Sequence, residues 1–525
     1  MGGAQGCVND TRQARCCCAR TACTDHLAAA DFEALSPQAL AARAASLALK
    51  DMQATDDVKI DLIAAVRTVA DSIGSELSAL AYPFGGPDNF PRAVASHVGI
   101  NPDHALYSLA CGDEPQLLVS EMCEKIANGE VETVLLCGAE AAATSRQAQR
   151  NGDSPDWRET IGGQCEDRGA DIDDLLSPEM VAHGMALPLS VYPLFENLRR
   201  HLSGVAADDY ARLMGALLAG YNRVAAANPL STHPAKLTAE DIATETAANR
   251  MVAYPYTKAM VARDAVNQAA AVILTSEEAA RRMGIAETKW VYLHGYAHAA
   301  EPAVHLRQNL ADAPAMALAY QAALQRAGVK PDAIAHFDLY SCFPVAVFLA
   351  MDILGLSLDD KRPFTVTGGL PFFGGPGNNY SMHAIASMVE ALRQDPGTFG
   401  LVGANGGYLS KHAVGVYSTT APAVWQAHDS AALQAEIDAL PQTPFTARPE
   451  GEAVLESFVL LPAPDGLQAV IFGRLDSNSN EGDAARFVAA NHDQKAIADK
   501  MMAVDPIGAR IQVAAGDGVN HFTFI

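Results

Sequence analysis

The sequence predicts an α/β protein: a duplicated, layered body with a helical insertion, followed by a small β-rich domain. Three observations predict it. The order strand, glycine turn, helix, turn, strand, Gly-Ala occurs twice, over 104–139 and again over 364–404. A long helical, turn-rich stretch at about 143–256 separates the copies. After about residue 420 the helical texture gives way to short β-rich runs. Strands alternating with helices call for a mixed or parallel sheet covered by helices.

Each element has a local reason. Ser36-Pro37 reads as N-cap and N1 of a helix to about residue 51, and the apolar segment 60–69 follows. In the first copy, strand 104–109 runs into Cys111-Gly112, an amphipathic helix spans 115–127, Asn128-Gly129 stops it, and strand 131–136 ends in Gly138-Ala139. Strand 267–275 completes this half. In the second half, helix 313–327 stops at Gly328, a residue suited to a left-handed C′ position. Strand 334–339 follows, then strand 364–367, the loop 368–377, helix 381–393 and strand 399–402. The domains are therefore 32–285, with the insertion, and 286–420. The runs 453–461, 468–475, 485–490, 509–514 and 521–525 form a third domain over 426–525, a small barrel or sandwich.

Composition narrows the function. The net charge of −24 argues against nucleic acid or an anionic membrane as partner. No apolar run approaches the ~20 residues of a spanning helix. No signal peptide opens the chain, so a cytoplasmic location is expected. Five of the ten cysteines fall in the first 23 residues, near His26. Their spacing matches no usual zinc pattern, so no metal is expected and residues 1–31 read as a poorly ordered segment without a strand. The other cysteines are scattered, as in a reduced compartment.

The residues able to carry chemistry cluster at loops. The stretch 368–377, Gly-Gly-Leu-Pro-Phe-Phe-Gly-Gly-Pro-Gly, lets backbone approach a ligand just before a helix N-terminus. Cys111 lies at a strand-to-helix junction, where the helix dipole lowers a thiol pKa while Asp113 and Glu114 oppose it. A small side chain filling a tight turn is the alternative. Cys342 stands at a strand end, where α/β sheets bind ligands; a buried small side chain is again the alternative. Asn405-Gly406-Gly407-Tyr408 follows a matching strand, and His383 and His412 flank these loops.

This set resembles the thiolase superfamily, whose motifs read Asn-Glu-Ala-Phe or His-Asp-Cys-Phe, Gly-His-Pro-x-Gly and Cys-x-Gly. It is most similar to the sterol-carrier-protein-2-thiolase-like proteins with an added C-terminal domain. The resemblance covers about 36–419, and the tail around Ala485-Arg486-Phe487-Val488-Ala489 resembles the extra domain. It implies an α-β-α-β-α body and CoA or acyl-CoA as ligand. It makes Cys111 the nucleophile position and Cys342 the acid/base position. Tyr340 replaces the His or Asn that holds a water, and Gly375 replaces the loop His. Asn405 replaces the cysteine of Cys-x-Gly, while Gly407 keeps the glycine. Lys258, Arg263 and His412 are weak candidates for CoA contacts. The family commonly dimerises through the strand near 104–109, so monomer and homodimer are both open.

Claisen chemistry needs a thiolate, a proton shuttle and two oxyanion holes. Gly375 and Tyr340 together delete the first hole, and losing one oxyanion donor costs ~10²–10³ in rate. The expectation is an acetyl-CoA acetyltransferase-like protein that binds CoA thioesters, with Claisen activity lost or strongly reduced. The alternatives are an active acyltransferase using Cys111 and Cys342, and a non-catalytic protein that recruits a partner through its C-terminal domain.

Overall fold

The computed structural model describes residues 15–170, 175–425, 427, 429–463, 466–476, 484–491 and 494–525. The body's strands are β1 (Arg15–Thr24), β2 (Leu62–Ala65), β3 (His104–Tyr107), β4 (Thr133–Ala141), β5 (Glu166–Asp167), a ribbon of β6 (Met251–Ala253) and β7 (Tyr256–Thr257), β8 (Asn267–Ser276), β9 (Tyr292–Ala300), β10 (Ile334–Leu339), β11 (Phe399–Gly406) and β12 (Lys411–Ser418). The large sheet runs β10-β11-β12-β9-β1-β8-β4-β2-β3-β5.

The duplication is visible in the ladders. In the first half β3, β2 and β4 are mutually parallel, and β8 is antiparallel to both β4 and β1. In the second, β10 and β11 are parallel, and β12 is antiparallel to β11 and to β9. Among the described residues, the bridge Cys16 to Tyr292 joins the halves. Strands β4 and β8 are buried along their whole length, which is why their interiors, 134–139 and 269–274, read as apolar runs rather than alternations.

The helices Glu114–Ala127 and Tyr380–Gln394 lie between the halves in one apolar cluster with Leu136, Val272 and Val402. Pro37–Met52 covers the outer face of the first half. Its Ser36 cap accepts from the amide of Ala39 at 3.3 Å. Pro314–Ala327 covers the outer face of the second and ends on Gly328 at φ 68°. The result is helix, sheet, helix, sheet, helix.

Two expectations are corrected. The segment read as lacking a strand supplies β1, the central strand of the sheet; residues 1–14 lie outside the described residues. The tract Arg15–Thr24 is rich in Cys and Ala, has Thr21 and Thr24 as its β-branched residues and shows no regular alternation, so the local strand signal is weak. The stretch 364–367 forms no strand. Its amides at Val366 and Thr367 donate to the Asp338 carboxylate at 3.0 and 3.3 Å, so they are unavailable to a ladder.

The C-terminal runs form β13 (Gly451–Ala463), β14 (Gly466–Leu475), β15 (Arg486–Ala490), β16 (Arg510–Ala514) and β17 (His521–Phe524), closed as a barrel in the order β13-β14-β15-β17-β16. The barrel is fastened to the insertion. Ser457 Oγ donates to the Leu194 carbonyl at 2.6 Å, and Asn197 Nδ2 donates to the Phe458 carbonyl at 2.9 Å. Phe472 and Val488 share one core with Phe195 of the insertion and Phe343 of the body.

Candidate active site

The turn between β3 and the helix Glu114–Ala127 sets Cys111 beneath the end of β11. Cys111 is only 4% exposed. At Gly406 an added Cβ would stand 2.3 Å from Cys111 Sγ and 2.2 Å from Asp113 Oδ1. At Gly112 it would stand 2.4 Å from the Tyr340 hydroxyl oxygen and 2.5 Å from the Asn405 carbonyl oxygen. Both positions must therefore be glycine, because backbone from the two halves meets there. Ser381 Oγ donates to the Gly112 carbonyl at 2.8 Å, tying the helix Tyr380–Gln394 to the same turn.

Cys342, at the end of β10, lies on the other side of Asn405. Asn405 Nδ2 is 3.5 Å from Cys342 Sγ and donates to the Tyr192 hydroxyl at 2.9 Å. That hydroxyl also accepts from the Leu409 amide at 2.9 Å. The Tyr192 ring stacks on Phe343 at 4.2 Å between centroids. Cys111, Tyr340, Cys342, Asn405 and Gly407 thus belong to one assembly. Tyr192 was not marked by the sequence: it comes from the helix Pro188–Ser203 of the insertion, where nothing local distinguishes it from a core aromatic.

The electrostatics oppose a thiolate. Burial holds the Cys111 thiol well above its ordinary pKa, and the neighbouring Asp113 raises it further. Desolvation and the like charge, both of which disfavour S⁻, outweigh the helix dipole. Burial also raises the Asp113 carboxyl, and it raises Glu114 to about 8, with Asp113 adding to the latter. Burial pushes Cys342 to about 11 against the Tyr192 hydroxyl and the Asn405 amide, which favour its ionised form. Tyr340 is likewise held far above its ordinary value by burial. Burial thus pushes every one of these groups toward its protonated form.

The glycine loop is strapped shut from outside. Gly375 N–H donates to the Arg263 carbonyl at 2.7 Å, Arg263 N–H to the Leu370 carbonyl at 3.2 Å, and Ala262 N–H to the Cys342 carbonyl at 3.1 Å. On the next turn, Thr232 N–H donates to Phe373 and His233 N–H to Phe372. The Leu370 amide donates to Ser341 Oγ at 3.1 Å. The Gly375 amide is consequently committed to protein, and no side chain extends from 375 toward Cys111. Gly374, at φ 131°, is forced: a Cβ there would lie 2.5 Å from Gln268 Oε1.

The candidate CoA contacts separate. Lys258 is exposed and Arg263 half-buried; both depress His233, whose pKa falls to about 4 mainly through burial. They stand at the strap beside the loop. His412 is 1% exposed and sits 3.7 Å from the Glu301 carboxylate behind β12, which removes it from any ligand arriving from solvent. Among the described residues no cluster of His, Cys, Asp and Glu has metal-binding geometry, and no helix is long and apolar enough to cross a membrane.

Similarity to known proteins accords with this architecture. A family model described as the thiolase-like protein type 1 additional C-terminal domain matches residues 432–518. None of the curated proteins compared matches the chain in sequence. Among solved structures, the dimeric peroxisomal thiolase of Saccharomyces cerevisiae is 12% identical, with 78% of this chain and 98% of that one aligned and a TM-score of 0.54. The acetyl-CoA acetyltransferase of Syntrophomonas wolfei is 15% identical over 78% of this chain and 99% of that one, at 0.55. These two share the fold alone. The monomeric SCP2-thiolase like protein type 1 of Mycobacterium smegmatis is 36% identical across 99% of this chain and 100% of that one, with a TM-score of 0.82. Fold, appended barrel and full-length identity agree, and the chain belongs to the SCP2-thiolase-like proteins of type 1.

Proposed function

We propose that this protein binds CoA thioesters in the cytoplasm, in lipid metabolism, and that its Claisen and thiolytic turnover is lost or strongly reduced. The observation that carries the second part is the closure over Cys111, with its thiol buried, flanked by Asp113 and covered by Gly406. Thiolysis starts from a thiolate, and burial, Asp113 and Glu114 disfavour one against the opposing charge of Lys411. The Gly375 amide already serves Arg263, which removes a second donor from use. The ligand assignment is supported by the thiolase fold and by Lys258 and Arg263 at the strap, cations suited to phosphates in an otherwise acidic chain.

A monomer is the proposed state. β5 pairs in parallel with β3 and occupies the edge that would otherwise be free to join a second copy. Arg168 holds β5 to the body through Glu121 at 2.7 Å. The partner-recruiting alternative has less surface to work with, because Phe472 and Val488 of the barrel are spent on the body.

Calorimetry with acetyl-CoA and CoA, together with thiolysis of acetoacetyl-CoA followed at the enolate absorbance, tests the proposal. Binding without turnover above background is expected. Turnover that disappears in Cys111→Ser would establish an active enzyme instead, and absence of any heat with both ligands would remove the CoA assignment.

A further inference from the structure

The helix Ala207–Ala227 has the central site on one side and an open groove on the other. The Tyr221 hydroxyl donates to the carbonyls of Leu339 at 3.0 Å and Phe364 at 3.2 Å. Its ring lies against Gly369, where a Cβ would meet it at 2.4 Å. On the outer side, this helix and residues 358–366 enclose a groove of about 640 Å³. Leu217, Val224, Pro363 and Phe364 contribute apolar wall.

The charges of this groove run against the chain as a whole. The sequence carries 61 acidic residues and 37 basic ones, yet the groove is lined by Arg223, Lys361 and Arg362 against the single carboxylate of Asp360. Arg362 is bound to that carboxylate at 2.6 Å and to the carbonyls of Pro331 and Ile334. Asp360 is thereby neutralised, and Arg223 and Lys361 stand exposed at the rim. The apolar trough also continues: a second cavity of about 650 Å³ shares Ala227, Asn228 and Pro229 with the first and extends to His26 and Thr232.

We propose that this groove binds a single-chain lipid carboxylate, with the head group between Arg223 and Lys361 and the tail along Val224, Ala227 and Pro229. The volume lies within the ~300–1,000 Å³ of small-ligand pockets. It is too small and too concave for a protein partner, which needs ~800 Å² per side. The far end of the trough runs past a helix C-terminus, whose partial negative charge repels a phosphate but is indifferent to a methylene chain. One carboxylate matches the two exposed cations of the rim, Arg223 and Lys361, and the apolar wall beyond them matches its chain. The site is independent of the CoA reading, because Tyr221 and the helix backbone separate it from Cys111.

The experiment is fluorescence titration of the full-length protein with cis-parinaric acid. Saturable enhancement is expected, with at least tenfold weaker binding in R223E/K361E. The Gly220→Leu variant is expected to weaken it comparably. A Cβ at 220 has only Arg223 Nη2 nearby, at 3.7 Å, so the leucine fills the groove without disturbing the core; an unchanged Tm verifies this. The methyl ester of the same probe is expected to bind at least tenfold less tightly. The proposal is overturned if wild type shows no saturable binding, if both variants bind like wild type, if acid and ester bind equally, or if CoA displaces the probe competitively.

Discussion

Gly406 closes over the sulfur of Cys111, leaving 2.3 Å between Sγ and the place a Cβ would occupy. One strand end from each half of the duplicated body is needed to make that lid. Thiol modification requires both access and thiolate, and Cys111 lacks both. Cys165, partly exposed, is the comparison within the same molecule. Iodoacetamide labelling at pH 8, read by peptide mass mapping, should modify Cys165 at least ~10²-fold faster than Cys111. In denaturant the two should converge. Equal rates in the native protein would mean that the lid opens.

Gly112→Ala should destabilise the fold. The new methyl would meet the Tyr340 hydroxyl and the Asn405 carbonyl well inside contact distance. Overpacking of this kind costs about 1–3 kcal/mol. Urea denaturation should show the loss. Tyr340→Phe in the same background should recover only part of it, since the Asn405 backbone remains in place.

The barrel should depend on Arg486. Its side chain is fully buried, pairs with Glu456 at 2.7 Å and donates to the carbonyls of His305 and Arg307 at 2.9 and 2.6 Å. Arg486→Met leaves Glu456 with Arg474 alone. Breaking a buried pair from one side costs ~3–5 kcal/mol, and the remaining arginine should hold the loss near ~2–3 kcal/mol. The double variant Arg486→Met/Glu456→Leu should be more stable than the single one. Faster trypsin cleavage at Arg448, ahead of β13, would report loosening of the barrel from the body.

Glu140 should set part of the pH profile of stability. Burial, followed by the opposing Val69 amide and the carboxylates of Asp71 and Asp264, brings its pKa to about 8. The folded value exceeds the unfolded one of ~4.3. The native state therefore holds the proton longer, and the associated stability is complete below the unfolded pKa and lost as pH rises toward 8. Glu140→Gln keeps an acceptor for the Val69 amide, which lies 2.7 Å from Oε1 in the parent. Its Tm should fall less than that of wild type between pH 5 and pH 8. Parallel Tm curves would place the proton elsewhere.

The sequence marked the elements whose signals are local. The Ser36-Pro37 start and the Gly328 stop are set by capping and left-handed backbone, and the barrel strands show as short β-rich runs, each signal contained within a few residues. β9, β12 and the helix Pro344–Leu354 were not singled out. The helix is apolar on most faces because it is enclosed, so it lacks an amphipathic stripe to read. β1 was missed because its Cys- and Ala-rich sequence carries little strand propensity, and its place between β9 and β8 is set by pairing with distant strands.

The sequence by itself determined that the body is duplicated, that a glycine-dense loop precedes the helix Tyr380–Gln394, and that Cys111 and Cys342 follow strands. The tertiary structure decided the ionisation state of those thiols. Desolvation depends on what arrives from elsewhere in the chain, and here Gly406, Asn405 and Tyr192 come from other segments than the turn at Cys111 and the strand end at Cys342. A helix N-terminus favours a thiolate only while water or cations can share its charge, and packing from the second half excludes the water.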